Sequence, residues 1–535
     1  MAISANHESV DYIIVGGGSS GCALAGRLSE DAGTSVALLE AGGDGDKWIV
    51  NVPAAVVLMV PQTLNSWGFE TVPQPGLDGR RGYQPRGKVL GGSSSINAMA
   101  YIRGHRRDYD EWAALGNTGW SYDDVLPYFK RSEGNQVIRN EWHGNDGPLT
   151  VSQLRTDNPF QQHFRDAAVE AGFPLNDDFN GAEQEGLGTY QVTQVNGERC
   201  SAYRAYVLPH RNRPNLRVET GAMTQRVLFD GKCAIGVEYR QGGVIKTLLA
   251  RREVILSAGA FQSPQLLMLS GVGDAADLAE QGIPVVHHLP GVGKHLKDHP
   301  DFIFGYKSNE KDLLGLSLGG GLRLFREIGR YRRERRGMIT SNFAECGGFL
   351  KTRPELDAPD IQLHFVIALV DDHARTLHMG HGFSCHVCLL RPKSEGSVRL
   401  ADRHAETPPL IDPNFLGEPE DVENLVAGYK MTEKLMKTQA LARYATRDLF
   451  TADVKTDDEI RAVLRARTDT VYHPVGSCRM GTDDGAVVDP SLRVRGVTGL
   501  RVVDASIMPT IIGGNTNAPA IMIAEKAADL IRQNA

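Results

Sequence analysis

Cysteine and long apolar runs are both scarce in this sequence. Seven cysteines occur among 535 residues, an odd number, and only Cys385 and Cys388 lie close together. This pattern indicates no disulfide framework. The apolar segment 54–60 is bracketed by prolines and is far too short to cross a bilayer. The N-terminus lacks a basic start followed by an apolar stretch, so we expect no signal peptide and a reducing, cytoplasmic location.

The chain also lacks a strong charge of either sign. Its formal net charge is −7 and its pI is near 6.2, which gives no basic footprint for nucleic acid. One stretch, 323–336, is rich in arginine. We interpret it as a solvated helix face, with contact to anionic lipid or an acidic partner as the alternative. Peripheral attachment to the inner face of the cytoplasmic membrane therefore stays open, as does the choice between a monomer and a homodimer.

No convincing metal-binding pattern is present. Cys385 and Cys388 form a Cys-x-x-Cys pair, but the pair lies in an apolar, strand-like run and no second ligand pair follows at metal spacing. We therefore predict core packing there rather than a zinc or redox site. Residues 371–373 read Asp-Asp-His and suggest a ligand cluster by composition, but we expect a surface loop over a pocket. No metal is predicted.

The most informative segment lies near the N-terminus and is rich in glycine. An apolar run at 12–15 is followed by GGGSSG at 16–21 and then by small residues. This order predicts a buried parallel strand, a tight turn and a helix. In such a turn Gly18 lets the backbone approach a pyrophosphate, and Gly21 lets the helix pack on the strand. The helix N-terminus then faces the phosphates.

An acidic residue supports this interpretation. A second apolar run at 36–39 ends in Glu40, where a carboxylate can accept hydrogen bonds from an adenosine ribose. The same carboxylate would repel a 2′-phosphate. The motif therefore predicts a bound dinucleotide and redox chemistry, but it does not choose between FAD and NAD.

The length of the chain predicts two domains or one large two-lobed unit, since 535 residues are too many for one core. The pattern of strands and helices predicts an α/β fold. Strand-like runs between 217 and 257 and at 500–504, and a helix opened by Pro519, extend the N-terminal pattern. We predict a Rossmann-like domain with a parallel sheet, and a substrate-binding lobe with an antiparallel sheet and helices. The predicted limits are 1–155, 201–305 and 465–535 for the Rossmann-like domain, and 156–200 and 306–464 for the substrate-binding lobe.

Four further segments carry a resemblance to a known family. They are GKVLGGSSSIN at 87–97, GAFQSPQLLMLSGVG at 259–273, YHPVGSCRMG at 472–481 and GNTNAP at 514–519. Together they resemble the signatures of the glucose–methanol–choline (GMC) oxidoreductases, over essentially the whole chain. The resemblance implies FAD rather than NAD, and oxidation of an alcohol. In some relatives a histidine at or near position 96 is joined to the flavin; Ile96 has no nucleophilic atom, which implies non-covalent FAD.

The glycine motif and the resemblance together give the predicted cofactor-binding residues. They are Gly16, Gly18, Ser20, Gly21, Glu40, Val89, Gly92, Ser93, Asn97, Ala98, Val227, Asp504, Thr516 and Asn517. The resemblance implies that Val227 contacts adenine through its backbone and that Asp504 lies beside the flavin or pyrophosphate. The helix N-terminus near Asn517 is expected to face the negative charge of the reduced flavin.

Two residues are predicted to be catalytic. Alcohol oxidation needs a base for the hydroxyl proton, and a neutral imidazole suits that task; by resemblance the base is His473. Asn515 matches a position that holds His or Asn in the family, and its amide is expected to hydrogen-bond the substrate oxygen. Tyr472 and Glu345 are weaker candidates for substrate contact. Segment 293–299, which contains His299, is interpreted as structural.

The resemblance is closest to bacterial choline-dehydrogenase-like primary-alcohol dehydrogenases, which pass electrons to a quinone or dye. The predicted function is therefore FAD-dependent oxidation of a primary alcohol to its aldehyde, with a quinone or dye as acceptor. Several alternatives on the same fold stay open. They are an oxygen-using oxidase of the aryl-alcohol or hydroxymethylfurfural type, a choline dehydrogenase, a cyanohydrin lyase and a fatty-acid photodecarboxylase.

Overall fold

Two large sheets organise the protein, which is described by a computed structural model over residues 8–316 and 318–533. Their strands, in chain order, are β1 (Ser9–Val15), β2 (Val36–Glu40), β3 (Gly186–Thr189), β4 (Leu216–Thr220), β5 (Met223–Asp230), β6 (Cys233–Gln241), β7 (Val244–Leu256), β8 (Pro300–Ser308), β9 (Gly315–Leu316), β10 (Ala344–Leu350), β11 (Ile361–Val366), β12 (Gly380–Leu389), β13 (Arg447–Asp448), β14 (Asp469–Thr470) and β15 (Leu500–Val502). The longer helices are α1 (Ser19–Leu28), α2 (Arg106–Ala114), α3 (Tyr122–Ser132), α4 (Phe160–Glu170), α5 (Gly259–Leu269), α6 (Leu318–Glu334), α7 (Pro419–Met436), α8 (Asp457–Arg467) and α9 (Asn517–Gln533).

The seven-stranded sheet has the strand order β4-β2-β1-β7-β6-β5, and β15 also pairs with β7. Strands β4, β2, β1, β7 and β15 are parallel, whereas β5, β6 and β7 form an antiparallel meander. The apolar side chains of β1 and β2 are buried, and α1 packs against both β2 and α9. A continuous apolar run suits a strand covered on both faces. This confirms the predicted α/β fold with a parallel sheet.

The eight-stranded sheet has the order β13-β8-β12-β11-β10-β3, with β9 on β12 and β14 on β8. All of its pairings are antiparallel. One face packs on α7 and on the aromatic cluster around Phe365. Because side chains alternate along a strand, residues three apart point to opposite faces. Cys385 accordingly pairs with Phe365, whereas Cys388 pairs with Gln362 on the other face, so the two thiols form no joint site.

Two of the predicted limits between the lobes fall inside a strand or a helix. The limit at 305 falls inside β8, and the limit between 464 and 465 falls inside α8. The C-terminal helix, predicted to open at Pro519, begins at Asn517. Within the described ranges, no group of His, Cys, Asp and Glu side chains could hold a metal ion. None of the helices described there combines the length and the apolar character needed to cross a membrane.

Candidate active site

A cavity lies between the carboxyl edge of the parallel strands and the second face of the antiparallel sheet. Loops that follow β1, β2, β7 and β15 line one wall, and residues of β10, β11 and β12 line the opposite wall. Open α/β sheets bind their ligands at this carboxyl edge. The predicted cofactor residues on the lining are Gly16, Gly18, Ser20, Glu40, Gly92, Ser93, Asn97, Ala98, Asp504, Thr516 and Asn517.

Two helix N-termini meet at the cofactor wall. Gly18 precedes α1 and offers no side-chain cap, which leaves the first-turn N–H groups without a capping acceptor. The Ser19 hydroxyl donates to Asn517 Oδ1 at 2.8 Å, and the Ser20 hydroxyl donates to the Ala520 carbonyl at 2.7 Å. These bonds hold the start of α1 beside the start of α9. Two positive dipole ends side by side form an anion site.

Glycine is required where the two glycine-rich loops touch. A Cβ on Gly92, whose φ is +53°, would lie 2.6 Å from the Gly18 Cα. A Cβ on Gly21 would lie 1.9 Å from the Gly16 carbonyl oxygen, which explains its role in packing α1 on β1. At Gly18 itself the nearest atom to a Cβ, the Ser257 oxygen, is 3.8 Å away, so that position faces the cavity.

Glu40 lies at one end of the cofactor wall. One carboxylate oxygen accepts from the Gly17 N–H at 2.8 Å and the other from the Gly42 N–H at 2.7 Å. Each oxygen keeps a lone pair for a further donor, such as a ribose hydroxyl. Burial raises the pKa of Glu40 to about 7, and the two N–H donors oppose that shift.

Three predicted cofactor residues lie outside the cavity lining. Gly21 packs α1, as described above, and Val89 is buried with its backbone in a bridge to Gly43. The Val227 N–H donates to the Ser270 hydroxyl at 2.8 Å. Residues 222–224, at the start of β5, reach the cavity lining, whereas Val227 lies further along the same strand.

His473 lies at the other end of the cavity, in the loop after β14. Its backbone N–H donates to Asp298 Oδ1 at 2.8 Å, and the other oxygen of Asp298 accepts from the Thr470 hydroxyl at 2.6 Å. Asp298 also accepts from the His299 N–H at 2.9 Å. One buried carboxylate therefore fixes two neighbouring loops, and burial raises its pKa to about 6.

A chain of hydrogen bonds fixes the tautomer of His473. His299 Nε2 lies 3.1 Å from the Leu390 carbonyl, which only accepts, so the proton of His299 is on Nε2. His299 Nδ1 is then an acceptor, and it lies 3.0 Å from His473 Nδ1. His473 must donate from Nδ1, which leaves the lone pair on Nε2. This lone pair, which Asn515 Nδ2 faces at 3.1 Å, is the acceptor that a general base uses.

The surroundings keep His473 neutral. Burial is the largest cause that lowers its pKa well below the ordinary value, and the positive charge of Arg86 lowers it further. The same burial lowers the pKa of His299 to about 3. His473 is therefore a neutral imidazole in the neutral range, with its single proton on Nδ1.

Asn515 completes the predicted catalytic pair. Its Nδ2 lies 3.1 Å from His473 Nε2, and its Oδ1 accepts from Gln362 Nε2 at 3.0 Å. Gln362 Nε2 also lies 3.2 Å from the Tyr190 hydroxyl. These contacts orient the amide so that its N–H groups face the imidazole. Both His473 and Asn515 line the cavity.

The two candidate substrate residues are placed differently. Tyr472 lines the cavity, and its hydroxyl lies 2.5 Å from His373 Nδ1. Glu345, in contrast, does not line it. Its buried carboxylate accepts from Ser341 at 2.6 Å and from Gln161 at 2.8 Å. A bulge between Ala344 and Cys346 interrupts the register at this point, so the expectation that Glu345 faces the substrate is corrected.

Several residues near the pair were not predicted. Segment 293–299 was interpreted as structural, yet it supplies the His299 contact to His473. Gln362 and His364 carried no motif, His386 lay in the Cys385–Cys388 segment that was interpreted as core packing, and only the pairing of β11 with β12 brings the three together. Their sequence signal is weak, because a histidine in an apolar strand more often belongs to the core.

A dinucleotide cradle that faces a buried neutral base is typical of an oxidoreductase, and the comparisons with known proteins agree. Models of the GMC oxidoreductase N- and C-terminal domains match residues 10–301 and 392–524. The chain therefore belongs to the GMC oxidoreductase family, and it is an enzyme that oxidises CH–OH donors.

Curated relatives are similar over nearly their whole length. The chain is 46% identical to an alcohol dehydrogenase [acceptor] of Pseudomonas putida, over 97% of this chain and 95% of that protein. It is 43% identical to human mitochondrial choline dehydrogenase, over 99% and 91%. It is 44% identical to an oxygen-dependent choline dehydrogenase of Paraburkholderia xenovorans, over 98% and 94%.

Solved structures share the fold. A formate oxidase variant of Aspergillus oryzae, studied for FAD modification, has a TM-score of 0.92 at 26% identity, with 99% of each chain covered. A pyridoxine 4-oxidase has a TM-score of 0.87 at 29% identity, with 97% of this chain and 98% of that chain covered.

Proposed function

We propose that this enzyme binds FAD non-covalently and oxidises a primary alcohol to its aldehyde. Three features of the cavity support FAD: the paired helix N-termini of α1 and α9, the open face at Gly18, and the carboxylate of Glu40. Ile96 lines the same cavity and packs with Val50 and Met59. An alkyl side chain offers no atom for a covalent bond to the flavin.

The geometry around His473 carries the proposed reaction. Bound FAD supplies the acceptor of the hydride that leaves the carbinol carbon. His473 takes the hydroxyl proton at Nε2, the nitrogen whose lone pair the hydrogen bonds to His299 and Leu390 leave as an acceptor. The imidazolium so formed keeps its Nδ1–H bond to His299. Asn515 stabilises the developing negative charge on the substrate oxygen through its N–H donors.

We further propose a quinone or dye as the electron acceptor. The similarity to an alcohol dehydrogenase [acceptor] supports this choice. Molecular oxygen is the competing acceptor, and the similarity to oxygen-dependent choline dehydrogenases is its support.

Anaerobic mixing with alcohols tests the proposal directly. Primary alcohols are expected to bleach the flavin absorbance, and the bleached enzyme should recolour rapidly with a soluble quinone and slowly with air. Fast recolouring in air would identify an oxidase instead. An enzyme that no primary alcohol bleaches would contradict alcohol oxidation altogether.

Acid precipitation tests how the FAD is held. It should release the yellow colour into the supernatant, whereas a yellow pellet would contradict non-covalent FAD.

A peripheral contact with an anionic membrane also belongs to this proposal. On α6, Phe325 is 77% exposed, and Arg332 and Arg333 are exposed with no ion pair among the described residues. Phe325 and Arg332 are seven residues apart and share a helix face. Helix α6 packs on the turn Met338–Thr340, which packs on the turn just before Val57, a residue of the cavity lining. This basic and apolar face would bring the cavity close to lipid-dissolved quinone.

Vesicle sedimentation tests that contact. The protein should sediment with phosphatidylglycerol-containing vesicles at low salt and much less with pure phosphatidylcholine. Changing Phe325→Ser together with Arg332→Glu and Arg333→Glu should abolish sedimentation, while dye-coupled activity persists. Val244→Ser, at a residue that is 60% exposed on β7, is the matched control and should sediment normally. Equal sedimentation of all variants would contradict the contact.

A further inference from the structure

The face of the antiparallel sheet above the cavity carries a short row of polar side chains. Gln362, His364 and Val366 alternate onto this face of β11, and His386 lies opposite His364 on β12. Gln362 contacts Asn515, so the row begins at the catalytic amide. His364 follows about 7 Å further along the strand, at two residues of rise. The polar row therefore extends from the reaction centre into the rest of the cavity.

His364 has polar atoms that nothing in the described chain satisfies. The residue is 6% exposed and lines the cavity; its Nδ1 is buried without a hydrogen-bond partner among the described residues, so Nε2 is the ring atom left to meet a ligand. Burial, with smaller effects of His386 and His299, lowers its pKa to about 3, so the ring is neutral. A neutral imidazole has one donor and one acceptor. A ligand oxygen in the cavity would satisfy Nε2, the one ring nitrogen that it can reach.

The ring of His364 is held in place by its neighbours. The Tyr190 ring lies 5.7 Å from it, between ring centroids. Gly347 lies opposite His364 on β10, and a Cβ there would lie 2.6 Å from the Tyr190 hydroxyl. The site is therefore preorganised, since the glycine makes room for the tyrosine that packs on the histidine.

His386 supplies the second polar group and covers an acidic one. Its Nδ1 lies 2.6 Å from Asp301 Oδ2, which leaves Nε2 as the ring's remaining polar atom. His386 lines the cavity, whereas Asp301 lies behind it, 4% exposed, with Oδ1 buried and unpartnered. A cationic group in the cavity would meet an imidazole rather than the carboxylate.

We propose that His364 and His386 form a subsite for a second oxygen atom of the substrate. The preferred substrates would then be uncharged alcohols that carry a hydroxyl or ether oxygen a few atoms from the carbinol carbon. These alcohols would be favoured over plain alkanols. They would also be favoured over choline, because His386 separates the Asp301 carboxylate from a cation in the cavity. This inference rests on the proposed alcohol oxidation.

Two alcohols of the same shape test the subsite. γ-Methoxypropanol differs from n-pentanol by one oxygen in place of a methylene group. The wild-type enzyme is expected to prefer the ether by about five- to tenfold in kcat/KM, the value of one hydrogen bond. The preference should lie mainly in KM, because a remote contact stabilises ground state and transition state alike. Choline should be a poorer substrate than either alcohol.

Variants then assign the preference to named residues. His364→Leu should erase it, and His364→Asn, which keeps a donor and an acceptor, should restore part of it. Because His386→Leu alone would strand the Asp301 carboxylate, it is paired with Asp301→Leu, and this double variant should also lose the preference. Val366→Ala, two residues further along the same face of β11, is the control. It should change kcat/KM for both alcohols by the same factor and so leave the preference unchanged.

A ligand without a hydroxyl separates the subsite from the reaction. The dissociation constant of glycol dimethyl ether, titrated against the flavin absorbance, should rise several-fold in His364→Leu and stay constant in Val366→Ala. This readout persists even if alcohols fail to reduce the flavin, a failure that would contradict the proposed function alone. Equal kcat/KM for the two wild-type alcohols, or a preference that survives in the leucine variants, would overturn the subsite.

Discussion

The two walls of the cavity present different chemical groups to a ligand: backbone groups on one wall and side chains on the other. The cofactor wall presents backbone groups: glycine turns at Gly16, Gly18 and Gly92, and the N-termini of two helices. The opposite wall presents side chains from strand faces, among them His364 and His386. The first kind of recognition needs a few residues at fixed local spacing. The second needs strands to pair in the correct register, which depends on the whole lobe.

The largest expected effect separates two glycines of the same motif. Gly18 has extended backbone and open space toward the cavity, so Gly18→Leu should fold and lose FAD. At Gly21 a Cβ would lie 1.9 Å from a carbonyl oxygen, so Gly21→Leu should lose the fold itself. The flavin-to-protein absorbance ratio and the thermal midpoint Tm measure the two outcomes. A Gly18→Leu protein that keeps full flavin would refute a backbone-built phosphate site.

The same contrast explains which features could be predicted from the sequence. The parallel strands, the glycine turn and the family were predictable, because short apolar runs and glycines at fixed spacing encode them locally. The adenine contact of Val227 stays a prediction, because a strand pattern does not tell where the strand reaches the cavity. Glu345 was misplaced because a bulge beside it breaks the period of two on which facing depends.

The polar side chains of β11 and β12 that face the cavity could not be predicted from the sequence, for a related physical reason. His364 and His386 become neighbours only through antiparallel pairing of β11 with β12. In the sequence, each histidine stands between apolar residues, as it would in any buried strand. The role of His299 was equally hidden, since it depends on a loop contact between the segments before β8 and after β14.

The second prediction concerns the catalytic pair itself. His473→Ala should fold and bind FAD but reduce it with alcohol about 10²- to 10⁴-fold more slowly, the usual cost of losing a general base. Asn515→Ala should cost roughly 10²-fold, because one donor to the developing alkoxide is lost. Stopped-flow flavin reduction measures both. Near wild-type reduction by His473→Ala would move the base to another residue.

The third prediction uses pH to test the hydrogen-bond chain. The wild-type reduction rate should stay constant through the neutral range and fall only in acid well below pH 6.5, because the pKa of His473 is depressed. His299→Leu removes the acceptor of the Nδ1 proton, a bond that stabilises the imidazolium. The rate should fall about 10- to 10²-fold, as for a hydrogen bond to a charged group. The acid limb should also move further down in pH, because losing that acceptor makes protonation of His473 harder. A slower variant with an unmoved limb would indicate a purely structural role.

The smallest expected effect is on the ranking of alcohols in Tyr472→Phe, at a residue next to both walls of the cavity. Its backbone has φ of +74°, and its carbonyl accepts from Arg86 Nη2 at 2.9 Å, so the main chain is held independently of the side chain. Tyr472→Phe keeps the ring on the cavity lining and removes only the bond to His373, which retains an ion pair to Asp469 at 3.2 Å. Loss of one hydrogen bond should change the ranking of alcohols by about fivefold or less.

Flavin content should not change in Tyr472→Phe, since the cofactor wall depends on backbone groups that this substitution leaves alone. The measurement is the ratio of kcat/KM values over a panel of alcohols, with the flavin absorbance of each preparation recorded beside it. If flavin is lost while the ranking of alcohols is kept, Tyr472 would belong to the cofactor wall. The division between a wall of backbone and a wall of side chains would then fail at the residue that precedes the base.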